Sequence, residues 1–387
     1  MLEGLPPERK AKVTGLFRAA KRFIDAGVVA ANHRERKRHW KHWHTWATHL
    51  NVDPCLQVGK REHHVLALIG FALGVRDGDY GRGNKVRAET AQVALRAIGT
   101  TFEMDLKKNP LYRSEQRHIK PIERLIEGMR RADPPSRPKL AVPRAVALWL
   151  AKCSRCSNLP KQQAVGDLGT MAFCHLLRVG EHTIRNQKKT TRTKQFTIRD
   201  VTLFKDGKEL SRRASLNTLL QADSGTLYVR NQKNGVKGQN IHHHATHKED
   251  CPAKALARRV HHIMQHTTNQ DTIISAYFEK GQAKHMTNEH INNIVKKSVL
   301  ALGLNENGYS AKLVSSHSLR AGGAMAMKLN GIDRDTIRKV GRWSSDTFLM
   351  CTHEQISAVT RNVSLAMSND VDFHNIAGPT LQGYDML

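Results

Sequence analysis

A mainly α-helical fold with a small β-sheet, divided into two domains, follows from three features of the sequence. Apolar residues recur at helical spacing through most of the first 130 positions. The stretch Asp133-Pro134-Pro135-Ser136-Arg137-Pro138 then forms a stiff linker that cannot continue a helix. Beyond it, between Phe196 and Val229, helical spacing gives way to alternation with β-branched residues, as in FTIRDVTLF and GTLYVRNQ. The expectation is an all-helical domain over 1–135 and a mixed α+β domain over 136–387.

Taken in order, the first 30 residues place Leu, Val, Phe and Ile at helical spacing. From Asn32 to Leu50 a basic, Trp-rich stretch sets Trp40, Trp43, Ala47 and Leu50 on one helical face. Arg34, Lys37, Arg38 and Lys41 lie around the other side. That basic face is either a DNA-phosphate contact or the solvated side of a core helix. VLALIGFALGV is too short to cross a bilayer and suits a buried helix, and DGDYGRGN (77–84) is a loop. Helices are expected over Val86–Ala97 and Ile119–Met129.

After the linker, Ala141–Cys153 is helical, and Asp167–Arg185 carries a helix that closes near Gly180. Asn234-Gly235 signals a type I′ turn, which puts Lys233 at the tip of a hairpin. Phe278–Leu302 is expected to be helical. His317-Ser318-Leu319-Arg320 opens a further helix, with the imidazole and guanidinium on one face. Ala321, Gly322, Gly323, Ala324 and Ala326 let that helix approach a neighbour closely, and Asn330-Gly331 ends it. Ile332, Ile337 and Val340 carry a short helix stopped at Gly341. Ser or Asp of Ser344-Ser345-Asp346 would cap a third helix through Phe348 and Leu349. A last helix is expected over Gln355–Met367.

The chain has 387 residues, a formal net charge of +28 and a pI near 10.2. An excess of that size suits a phosphate backbone better than a small neutral ligand, and RNA would satisfy it as well as DNA. No apolar run approaches the roughly 20 residues a membrane span needs, and no signal-peptide pattern opens the sequence. Six cysteines in so long a chain do not make a disulfide framework, so a reducing compartment is expected. Cys153-Ser154-Arg155-Cys156 has the spacing of half a zinc site, but no second CxxC answers it. The run His242-His243-His244 with His247 and Cys251 reads as a solvent-facing turn, able to meet phosphate without metal. No metal or cofactor is expected.

Three segments together resemble the tyrosine recombinases, the phage-integrase family. They are Leu177-Arg178-Val179-Gly180-Glu181, the hairpin around Lys233, and the HSLR box followed by GRWSSDTFL. The last phrase is most similar to eukaryotic Crypton-type integrases of mobile elements. The resemblance implies a two-domain clamp around double-stranded DNA and strand cleavage by in-line attack on a phosphodiester. It implies that Arg178 and Arg320 hold the phosphate, with Glu181 orienting Arg178. Lys233, or Lys237 in second place, would protonate the leaving oxygen, and His317 would exchange the nucleophile's proton. Arg342 or Trp343 would supply a further donor. The family's nucleophilic tyrosine falls nine residues after Arg342, and that position is Cys351. Impaired cleavage is therefore expected. Use of Cys351 or of a displaced tyrosine such as Tyr384, and a purely RNA-binding role, stand as alternatives. A homo-oligomer on DNA through the C-terminal helix, and a nuclear location, also follow from the resemblance (a cytoplasmic one if the source is not eukaryotic).

Overall fold

The computed structural model describes residues 6–27, 30–105, 108–112, 119–135, 139–184, 194–230 and 238–351. Lys233, Lys237, the Asn234-Gly235 turn, Tyr384 and the helix expected over Gln355–Met367 lie outside the described residues. So does the side chain of Cys351. The chain forms two compact units, Met1–Arg137 with Asn186–Arg192, and Pro138–Arg185 with Thr193–Leu387.

The described part of the first unit is helical: α1 Pro7–Ala26, α2 Ala30–His49, α3 Arg61–Asp77, α4 Ala88–Asp105 and α5 Lys120–Ala132. Its core gathers Trp43 and Ala47 of α2, Leu68 and Phe71 of α3, Leu95, Ile98 and Phe102 of α4, and Ile122 and Ile126 of α5. Buried Trp43 and partly buried Trp46 donate indole N–H bonds to Pro54 O and Ala67 O, each 2.9 Å. Leu50 departs from expectation. Helix α2 ends at His49 and Asn51 turns with φ +54°, so Leu50 leaves the helical face and is 44% exposed. The start of the Pro-rich stretch is docked rather than idle: Asp133 accepts from Ala88 N at 2.8 Å and pairs with buried Arg76 at 2.8 Å.

The second unit runs α6 Arg144–Arg155, α7 Pro160–Cys174, α8 Val179–His182, β1 Val201–Lys205, β2 Lys208–Glu209, α9 Leu216–Leu220, β3 Ser224–Val229 and β4 Gln239–His244. It continues with α10 Pro252–Met264, β5 Ala276–Glu279, β6 Gln282–His285, α11 Asn288–Ala301, α12 Ser316–Leu329 and α13 Arg334–Gly341. An antiparallel sheet of order β2-β1-β3-β4 packs against α10, its Val201, Leu203, Leu227 and Ile241 joining the core.

Four local expectations needed correction. The strand expected from Phe196 begins as a 3-10 turn at Ile198–Asp200, because Asp200 accepts hydrogen bonds from both the N–H and the hydroxyl of Thr197. The start of the helix expected at Phe278 is the β5–β6 hairpin, whose Lys280 and Gly281 both have positive φ, and α11 begins only after Thr287 caps it. The third helix after Gly341 is a 3-10 turn, Asp346–Cys351. The His run is strand β4, not a turn.

Helix α12 is placed by its small residues. A Cβ on Gly322 would overlap Val142 O, and one on Gly323 would overlap Phe173 O, so only glycine lets α12 lie on the end of α7. That close approach brings the HSLR turn to the Leu176–Arg178 turn.

Candidate active site

Two backbone reversals build the site. Leu176, just past α7, and Arg342, just past α13, both adopt the left-handed conformation, with φ +48° and +57°. Such a conformation costs a non-glycine residue about 1–2 kcal/mol, and here it sets the carbonyls of Leu176 and of the Gly341-Arg342 pair among the arginines. Arg320, buried on α12, donates Nη1 to Leu176 O and Nη2 to Gly341 O. Arg178 caps α8. Its backbone N–H donates to Glu181 Oε2 at 2.8 Å, its Nη1 to Glu181 Oε1 at 3.3 Å and its Nη2 to Arg342 O at 3.0 Å. Arg342 Nη2 donates to Glu181 Oε2 at 2.8 Å and to Leu176 O at 3.2 Å.

Arg178, Arg320, Arg342 and Glu181 thus meet around one turn, three guanidiniums to one carboxylate. Of the three, Arg178 reaches the surface most, with 22% of its side chain exposed against 1% for Arg342. Burial lowers the Arg342 pKa, with Glu181 opposing and the Arg178 charge adding to the drop. Arg342, expected as a further phosphate donor, is placed beneath the site rather than at its surface. Its side chain points inward and braces Glu181, while its carbonyl holds Arg178. The reason is the left-handed backbone, which turns the side chain under the site.

Trp343 also differs from a simple donor. Its indole lies over the Arg320 guanidinium, 4.1 Å from ring centroid to Cζ, and tilts against Phe348 at 5.6 Å. This stack requires Gly341: a Cβ there would sit 2.5 Å from Trp343 Cη2 and nearer still to Cζ3 and Cε3. Phe348, Leu176, Ala324 and Ile337 form the small apolar cluster beneath. His317 stands exposed one turn before Arg320, and desolvation of its ring followed by the Arg320 charge lowers its pKa. Its neutral form is therefore favoured, as a proton acceptor requires.

Lys233 and Lys237 lie outside the described residues, whereas the strands that flank their connection are described. Val229 pairs with Gln239, and Arg230 is tied to Asp200 by Nε–Oδ1 at 2.5 Å and Nη2–Oδ2 at 2.7 Å. Sequence reasoning missed this anchor, although Asp200 and Arg230 flank the strands it saw. It also missed the Leu176 carbonyl, for which no side-chain signal exists. In the other unit, Arg34, Lys37, Arg38 and Lys41 are all exposed on α2, opposite buried Trp43. Cys153 is half-buried and Cys156 exposed. Among the described residues no group of three or more His, Cys, Asp or Glu could hold a metal ion, and no helix is long and apolar enough to cross a membrane.

No family model and no curated protein sequence matches the chain. Solved structures do. The XerH site-specific recombinase bound to palindromic difH substrate, in a post-cleavage complex, superposes with a TM-score of 0.51 at 13% identity, over 84% of this chain and 77% of that one. The Tn1549 transposon integrase with circular intermediate DNA gives 0.49 at 12% identity, over 90% and 98%. A lambda integrase dimer on a COC′ core site gives 0.45 at 14%, over 88% and 94%. Mainly helical with a small antiparallel sheet, the chain carries the tyrosine-recombinase fold.

Proposed function

We propose that this chain is a double-stranded-DNA-binding protein of the tyrosine recombinase family, related in motif style to the Crypton-type integrases of mobile elements. Its ancestral reaction is DNA recombination or integration by strand cleavage and rejoining, and its own cleavage is impaired. The observation that carries the reading is the meeting of Arg178 and Arg320 around the Leu176 turn, with Glu181 as the single carboxylate. The XerH recombinase structure, determined with its difH DNA substrate, adds support.

The chemistry follows from the charges. In-line attack on a phosphodiester gathers negative charge on the nonbridging oxygens, and fixed guanidiniums stabilise it without reorganising. Arg178, the most exposed of the three, can offer a two-pronged donor set, while buried Arg320, with Nη1 on Leu176 O and Nη2 on Gly341 O, would lend its charge and fix the turn that carries Arg178. Lys233 would protonate the leaving 5′-oxygen and His317 would take the nucleophile's proton. Arg342 would act indirectly, by holding Glu181 and Arg178.

Cys351 is the point of failure. A thiol is more acidic than a phenol, about 8.5 against 10, so ionisation is no obstacle. Reach is: the sulfur stops about 3–4 Å short of where a tyrosine oxygen would stand on the same backbone, and about 1 Å of misplacement can cost a hundredfold in rate. An active enzyme using Cys351 or a displaced tyrosine is the second reading. Assembly through the C-terminal helix and a nuclear location belong to the same proposal.

Fluorescence anisotropy on duplex DNA, with an RNA hairpin as competitor, tests the binding half. Affinity should fall steeply with salt as counterions are released from several contacted phosphates, and Arg178→Gln should weaken it. A flat salt titration, or preference for the RNA, would overturn the proposal.

A further inference from the structure

The His run, which neither the site nor the proposed DNA contact uses, lies on β4, at the edge of the sheet. Side chains two apart on a strand share a face, and His242 and His244 are both exposed. Their ring centroids are 5.0 Å apart with the planes at 84°. An ion bound at about 2.0–2.1 Å from each ring nitrogen lies about 3.2 Å from each centroid. A centroid separation of 5.0 Å then corresponds to a nitrogen–metal–nitrogen angle of about 100°, within the range of a four-coordinate site. His242 is also oriented from behind. Thr226 on the paired strand β3 sits opposite it, and the Thr226 hydroxyl meets its Nδ1 at 2.7 Å. Where that hydroxyl accepts from Nδ1–H, the lone pair is on Nε2, which points the other way round the ring. A hydrogen bond of this kind on the distal nitrogen is what ligating histidines characteristically have.

We propose that His242 and His244 form a two-toothed chelate for a borderline divalent ion of the zinc class, with Thr226 as the orienting residue and water in the remaining positions. His243 takes no part, since its side chain points to the opposite face and packs on buried His175 at 4.6 Å. Hard ions such as magnesium are excluded by the imidazole donors. The site is independent of the proposed recombinase chemistry and survives if that reading fails.

Calorimetric titration of the full chain with zinc chloride tests it, repeated with copper(II) and magnesium chlorides. The chain holds 22 histidines, so the readout is the difference between parent and variants. His242→Ala and His244→Ala should each remove the same tightest equivalent of zinc, weakening it at least about tenfold, because either loss destroys the chelate. Thr226→Val should weaken it by about tenfold while the fold, checked by thermal melting, is retained. Copper should bind more tightly than zinc, and magnesium should produce no heat. The proposal is overturned if either histidine variant keeps the tightest equivalent, or if His247→Ala removes it.

Discussion

Gly341→Ala probes the covering of Arg320 by Trp343. The added methyl would overlap the six-membered ring of the indole, at 2.5 Å from Cη2 and closer to Cζ3 and Cε3. Neither partner can yield freely, because α13 ends there and the indole is held between Arg320 and Phe348. The indole must leave. Overpacking of this kind costs about 1–3 kcal/mol, and losing a half-buried cation–π contact adds about 1 kcal/mol. The sum, about 2–4 kcal/mol, converts to a drop of about 4–16 °C in the melting temperature of a unit this size. Thermal unfolding of the full chain reads it. A double-mutant cycle with Trp343→Ala sharpens the test. Once the indole is gone the methyl has nothing to strike, so the double variant should be more stable than the two single losses added together. Additive losses, or a Gly341→Ala melt within about 1 °C of the parent, would refute the stacking account.

Arg342→Gln should destabilise by about 1–3 kcal/mol, below the ~3–5 of breaking an isolated buried pair, because Glu181 keeps Arg178; equal stability in chemical denaturation would contradict the bracing role. Asp200→Asn should loosen the base of the β3–β4 connection by about 1–3 kcal/mol, seen as faster amide exchange in β1 and β3, and unchanged exchange would rule it out. Burial holds folded His182 and His243 at a pKa of about 4, while unfolded histidine titrates near ~6.5. The unfolded state therefore takes up protons first, so this contribution is complete above about pH 6.5 and is lost as pH falls toward 4. For His182 the loss near pH 5 is about 2 kcal/mol, and a melting temperature that stays level or rises from pH 7 to 5 would contradict it.

Much of this was legible because it is local. The small residues of α12, the Asn330-Gly331 stop and the buried face of Trp43 each follow from spacing alone. Arg178 and Arg320 were named from the order of the motifs, and their convergence depends on Gly322 and Gly323 lying against backbone oxygens. What escaped depends on backbone conformations that sequence does not mark. Arg342 turns inward because a non-glycine residue adopts a left-handed φ at a helix end. Leu176 contributes a carbonyl, which any residue possesses. Lys280-Gly281 did offer a hairpin signal, and the apolar spacing of the helix that follows concealed it.

Position 351, the nucleophile position under the proposed function, is the point on which that proposal turns, and trapping a covalent adduct on a nicked suicide duplex tests it most directly. The unmodified protein should bind the duplex and give no adduct, or only a trace. Cys351→Tyr should give a phosphotyrosyl adduct mapped to residue 351, since the phenol restores both reach and nucleophile. An adduct of the unmodified protein through Cys351 would contradict the account, as would a Cys351→Tyr variant that binds the duplex and stays unreactive.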